Sequence, residues 1–187
     1  SLKLSNNNLR QTINKGIQLV EEGILEKIVL ASRVKIEFKN KLNLIQILKK
    51  LKTYQPNTCR YVWRRNRKDV TFGASPEKLF SFSKPNLILE AIAGTISSDL
   101  NLDSLLESSK DIKEHNYVIQ YLIECLEYLK ITDYSKSPLK VTSFGDISHL
   151  ETLICSKIDN ICPFDLLRIL HPSPAVCGSP KKEAMNW

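Results

Sequence analysis

Glycine, histidine and paired cysteine are scarce in this sequence. Of 187 residues, 6 are Gly, 3 are His and 1 is Met. None of the histidines is spaced with a cysteine as a structural zinc site requires. The cysteines, Cys59, Cys125, Cys155, Cys162 and Cys177, are scattered, odd in number and form no CxxC pair. That pattern reads as free thiols in a reducing compartment, not as a disulfide framework. No apolar run is long enough to span a bilayer. No charged-then-apolar leader resembles a secretory signal. A membrane partner is therefore not expected, and the expected compartment is the cytoplasm or a plastid stroma. There are no internal repeats, and the one low-complexity tract is Asn6–Asn8.

What is present is ordinarily globular, 42% hydrophobic and 25% charged. The length fits one domain with a sizeable core. The net charge of +7 raises the question of a polyanionic partner. Its densest patch is Arg60–Lys68, basic with Tyr61 and Trp63 interleaved. Strand alternation places those aromatics on one face and Arg60, Val62 and Arg64 on the other. A hairpin with a solvated basic tip follows, and nucleic acid is not expected as a partner.

Along the chain, Asn8-Leu9-Arg10-Gln11 has the form of a capping box. Leu9, Ile13, Ile17 and Val20 then recur at helical spacing until Gly23. Lys27–Phe38 alternates as a long strand, with Lys27 at the end of a face made of Val29 and Ala31. Asn43–Tyr54 reads as an amphipathic helix, broken by Pro56-Asn57. Lys78–Ser83 and Leu87–Ile92 flank the turn Ser83-Lys84-Pro85-Asn86. A helix from about Asp111 to Ile131 buries Val118, Leu122, Leu126 and Leu129. Leu139–Ile147 and Leu150–Ile158 read as strands around Ser148-His149, and Pro163–Leu170 as a short helix. Strands in pairs with helices between them predict an α+β domain with largely antiparallel sheets.

Chemistry concentrates around the central hairpin. Gly73-Ala74-Ser75-Pro76-Glu77 precedes it, small residues followed by one carboxylate. Ala93-Gly94-Thr95 follows it, where small side chains let backbone N–H groups approach an anion. Two readings stand: a site for a carboxylate-bearing substrate, or a tight turn with an exposed Glu77. Asp111, Glu114 and His115 share one helical face. Acids there also suit the positive end of the helix, and a Lys110–Glu114 pair would account for them without chemistry. Lys27 has the same double reading, since lysines are mostly solvated.

Six segments together resemble the chorismate-utilising enzymes, which include isochorismate, salicylate, anthranilate and aminodeoxychorismate synthases. They are Gly23–Arg33, Gly73–Leu79, Ala91–Thr95, Ser109–His115, His149-Leu150 and His171–Pro180, in the family's order and approximate spacing. The resemblance implies an incomplete α/β/β/α sandwich of the anthranilate-synthase component I type. It matches Glu114 to a magnesium ligand, with Asp111 a further carboxylate nearby. Magnesium is hard and oxygen-seeking, suited to clamping a substrate carboxylate. Glu77 matches the acid that protonates the departing 4-hydroxyl. Gly94 and Thr95 match substrate contacts, and His149 matches a pocket histidine. Members that add water carry Lys where this chain has Lys27, whereas those that add ammonia carry Gln. Aminodeoxychorismate synthases carry a nucleophilic Lys where this chain has Ala93.

The resemblance therefore implies chorismate as substrate, magnesium as cofactor and isochorismate as product. Salicylate is the alternative product. A lysine base needs its pKa lowered from ~10.4 towards ~7–8, and burial beside Val29 and Ala31 would do so. In the family the chain continues past the His171–Pro180 loop into strands bearing further magnesium carboxylates. This sequence begins at Ser1 and ends at Trp187. Residues 1–187 are accordingly expected to be a partial chorismate-binding domain. An inactive remnant, or a fragment needing a separate chain for the remainder, is the competing expectation.

Overall fold

A computed structural model describes residues 6–187, with side chains from Leu9 onward. In chain order the elements are α1 (Asn6–Glu21), β1 (Lys27–Ile28), α2 (Leu44–Tyr54), β2 (Cys59–Arg64), β3 (Val70–Ser75), β4 (Phe80–Ser83) and β5 (Asn86–Ser97). They continue as α3 (Asp103–Glu107), α4 (Ser109–Tyr128), β6 (Tyr134–Lys136), β7 (Lys140–Phe144), β8 (Ile147–Lys157), α5 (Pro163–Leu170), β9 (Gly178–Ser179) and α6 (Lys181–Asn186). Two compact units result. One joins the stretch up to Leu42 to Pro172–Trp187, and the other is Asn43–His171.

The first unit is small. Leu19, Leu25 and Ala184 are its buried core, with Ile28 and Cys177 packed against them. Helix α1 lies where the spacing predicts, but the residues that mark it, Ile13, Ile17 and Val20, are largely exposed. Gly16 and Leu19 are the buried positions instead. The long strand expected over Lys27–Phe38 does not form. Only Lys27 and Ile28 pair, with Ser179 and Gly178, and Val29 N donates to Cys177 O at 2.7 Å. The ladder stops because its partner turns away. The amides of Val176 and Cys177 bond back to the Ser173 carbonyl, at 3.1 and 3.0 Å, and are not available to a neighbouring strand. Val34, Ile36 and Phe38 are left exposed.

The second unit is built on a five-stranded antiparallel sheet in the order β4-β5-β8-β6, with β7 also on β8. Strands β6 and β7 follow one another along the same edge of β8. Alternation puts Leu87, Leu89, Ala91 and Ala93 of β5 beside Ser156, Ile154, Thr152 and Leu150 of β8. All eight are buried. Helix α4 packs on β5 and buries His115, Val118, Leu122, Cys125 and Leu126. Beside this sheet, β2 and β3 form the expected hairpin, with Arg64 opposite Val70 at its tip.

One turn falls elsewhere than expected. The β7–β8 connection is Gly145-Asp146, and Ser148 and His149 lie inside β8. Gly145 has φ +70°, the left-handed backbone that two-residue hairpins use, and glycine adopts it without a Cβ penalty. Strand β6 and helix α3 are short elements with no sequence counterpart in the expectations above.

Candidate functional site

Strand β5 breaks its pairing with β8 between Ala93 and Thr95. Ala93 stands opposite Leu150 and Thr95 opposite His149, so Gly94 is the extra residue of a bulge. Its φ is +70°, and a Cβ there would lie 3.0 Å from Cβ of Asp111 on the first turn of α4. Glycine is therefore required twice, by backbone and by space. The bulge is what brings Thr95 level with His149. His149 Nδ1 lies 3.0 Å from the Gly94 carbonyl oxygen and 3.1 Å from Thr95 Oγ1.

A carbonyl can only accept, so Nδ1 carries the ring proton and donates it to Gly94 O. In the neutral ring Nε2 is then a lone-pair acceptor. It is buried and has no hydrogen-bond partner. The Phe144 ring leans on the imidazole, centroids 5.8 Å apart, and fixes its orientation. Gly94, Thr95 and His149 are thus joined by direct hydrogen bonds.

Helix α4 begins beside this bulge. Ser108 Oγ accepts from Asp111 N at 3.2 Å, an N-cap that sets the first turn. Ser108 Oγ also donates to the Asp111 carboxylate. Lys110 pairs with Asp111 at 3.7 Å. Glu114 is half-buried one turn on. His115, named above only as sharing that face, is 1% exposed, and its Nε2 is 3.0 Å from Thr152 Oγ1 of β8. Burial pushes its pKa down from 6.5 to about 4, so the ring is neutral. The signal for it was available: His115, Val118 and Leu122 continue one helical stripe.

Glu77 lies half-buried between β3 and β4, and its backbone carbonyl accepts from Ser75 Oγ at 3.0 Å. Lys27 belongs to the first unit, on β1, with its Nζ buried. Its main chain is locked by glycine at β9, since a Cβ on Gly178 would overlap the Lys27 carbonyl. Glu77, Gly94, Thr95, Glu114 and His149 all belong to the second unit.

Among the described residues no group of three or more His, Cys, Asp or Glu converges to hold a metal ion. Magnesium asks for near-octahedral oxygen ligation. Glu114 with Asp111, one of whose oxygens is engaged by Ser108, does not build such a shell.

Comparison with known proteins now places these features. An isochorismate synthase of Haemophilus influenzae, MenF, is 25% identical over 180 residues, covering 92% of this chain and 42% of that protein. The salicylate biosynthesis isochorismate synthase of Pseudomonas aeruginosa is 28% identical over 184 residues, covering 94% of this chain and 38% of that one. Among solved structures, a 2,3-dihydroxybenzoate-specific isochorismate synthase from Bacillus anthracis, DhbC, superimposes with a TM-score of 0.85 at 26% identity, over 94% of this chain and 50% of that one. Anthranilate synthase component I from Streptococcus pneumoniae shares the fold, with a TM-score of 0.85 at 21% identity over 99% of this chain and 42% of that chain. The expected fold class, an α+β chain of the anthranilate-synthase component I type with antiparallel sheets, is what the structure has. The chain spans about half or less of the length of these relatives. The family model for chorismate binding enzymes matches residues 2–187, and the chain belongs to that family.

Proposed function

We propose that this chain is the chorismate-binding part of an isochorismate synthase, adding water at C2 of chorismate with loss of the 4-hydroxyl. The observation that supports it most is the hydrogen-bonded set Gly94, Thr95 and His149 at the β5 bulge, in a chain similar to isochorismate synthases along nearly its whole length. In this reading Lys27, as the neutral amine, takes a proton from water as its oxygen attacks C2. Both ring double bonds shift, C1=C2 into C1–C6 and C5=C6 into C4–C5, and the C4–O bond breaks. Glu77 protonates the leaving hydroxyl, which departs as water. One water enters and one leaves, so substrate and product are isomers. His149 Nε2, its lone pair free to accept, receives a substrate O–H, while Thr95 and the Gly94 backbone hold the ring's substituents.

Glu114 serves as one oxygen donor to magnesium only together with ligands from outside these residues, and no step here depends on it. The remaining length of the relatives would come from a separate polypeptide or from further sequence. Water as nucleophile rests on Lys27 and on Ala93 in place of lysine. A quinone pathway, menaquinone or phylloquinone, is the reading that similarity to the MenF enzyme of Haemophilus favours, with siderophore synthesis as the alternative.

The test is a chromatographic assay on chorismate and magnesium, with the chain alone and with a second polypeptide carrying the relatives' unmatched length. Isochorismate should form only in the complemented reaction. Lys27→Ala should abolish turnover, while calorimetry still detects chorismate binding. Anthranilate from added ammonia, or full turnover by Lys27→Ala, would remove the assignment. Salicylate in place of isochorismate would favour the alternative product.

A further inference from the structure

The positive charge of this protein is not spread over it. Residues 43–69 hold eight of the 27 Lys and Arg residues and one of the 20 acids, so this stretch alone carries +7 and the rest, with 19 of each sign, is neutral. The stretch is α2, β2 and the turn towards β3. Lys49, Lys50, Lys52, Arg64, Arg65, Arg67 and Lys68 are all exposed, and among the described residues none of them forms an ion pair. A structural reason for the cluster is thus lacking, except at one member. Arg60 donates to the carbonyls of Gln55, Pro56 and Thr58 at 3.2, 3.2 and 3.3 Å, which fixes the loop after α2 and holds the guanidinium at the rim.

Within this charge field lies an open groove of about 360 Å³ between α2 and β2. It is lined by the apolar Ile45, Leu48 and Val62, by Tyr61, and by the cations Lys49, Lys52 and Arg60. Ile45 is 67% exposed and Val62 43%. Large aliphatic side chains left in water beside unpaired cations are the composition of a binding surface, apolar centre and charged rim.

We propose that the α2–β2 groove docks an acidic amphipathic helix of a partner protein. A helix sets apolar residues on one stripe, which matches Ile45, Leu48 and Val62, and carboxylates on its flanks match Lys49, Lys52 and Arg60. Charge complementarity decides the sign of the partner, because no acid lines the groove. The shape decides its class. A nucleic acid would use the cations and aromatic faces but leaves an aliphatic floor idle. A lipid surface takes protruding apolar residues, not a concave floor. A second copy of this chain brings a neutral remainder, with no acidic stripe to match.

The probe is a fluorescent peptide of about 18 residues, long enough to hold a helix, with Leu along one stripe and Glu elsewhere. Anisotropy on the full chain should show saturable binding that weakens as salt rises. Lys49→Glu with Lys52→Glu should weaken it about tenfold or more, and Ile45→Ser should also weaken it several-fold. All three side chains are exposed, so circular dichroism should report an unchanged fold. Lys84→Glu, exposed on the β4–β5 turn, should leave binding intact. The proposal is overturned by no binding, by polyglutamate of equal length binding as well, or by Lys84→Glu weakening binding as much as the groove variants. Tighter binding of single-stranded DNA or phosphatidylserine vesicles, or dimerisation of the chain that occludes the groove, equally overturns it.

Discussion

Gly94 carries more constraint than any other residue of the candidate site. Its φ of +70° costs an L-residue about 1–2 kcal/mol. A Cβ at 3.0 Å from that of Asp111 adds a contact which α4 can relieve only by shifting. Gly94→Ala should therefore lower stability by about 1–3 kcal/mol in urea unfolding. It should also pull the Gly94 carbonyl off His149 Nδ1. With that acceptor lost, the proton moves more freely between the ring nitrogens, and the ¹⁵N shifts of His149 should report a mixed tautomer. An unchanged midpoint and unchanged imidazole shifts would mean that the bulge tolerates a side chain, and the geometry given for His149 would have no structural basis.

Elements were legible in the sequence where periodicity and punctuation agree. Helices α2, α4 and α5 and the hairpins β2–β3 and β4–β5 follow their cues, because capping residues and turn residues act locally. The Lys27–Phe38 stretch alternates over most of its length, yet a strand needs a partner, and the partner's amides were committed to Ser173. Alternation cannot reveal that. Ser148-His149 looked like a turn because both are polar, whereas the glycine three residues earlier made it. The small residues Ala93-Gly94-Thr95 announced a close approach, but that His149 would be what approached came from strand register. The sequence placed His115 on the face of Asp111 and Glu114, and only packing shows it clamped to Thr152. That clamp joins α4 to β8, and it makes the join depend on pH. The folded pKa of about 4 lies below the ordinary 6.5, so the unfolded chain binds a proton more readily between those values. Stability from this group is complete above about pH 6.5 and falls as pH drops towards 4, by at most about 3 kcal/mol. His115→Gln keeps a hydrogen-bonding group without the titration. Its unfolding free energy should slope less steeply than wild type between pH 4 and 6.5. Parallel slopes would show that His115 does not govern the acid sensitivity of the α4–β8 join.

At the scale of the whole molecule, burial is divided unequally. Of the 20 buried apolar side chains among the described residues, Leu19, Leu25, Pro174 and Ala184 lie in the first unit and the others in the second. The first unit has a two-residue ladder as its sheet. In the second, β8 has a neighbour on both sides for most of its length, and β5 has one on both sides from Asn86 to Leu89. Opening free energy follows such differences in buried apolar area and in shielded hydrogen bonds. Native-state hydrogen exchange should rank the amides accordingly. Those from Leu87 to Leu89 and from Leu150 to Ser156 should exchange only through global unfolding. The amides of Glu26, Val29 and Ala184, bonded to Ser179, Cys177 and Pro180, should exchange through openings several kcal/mol smaller. Equal protection of Val29 and Leu89 would contradict this ordering, and the first unit would then have to draw its stability from something other than its own core.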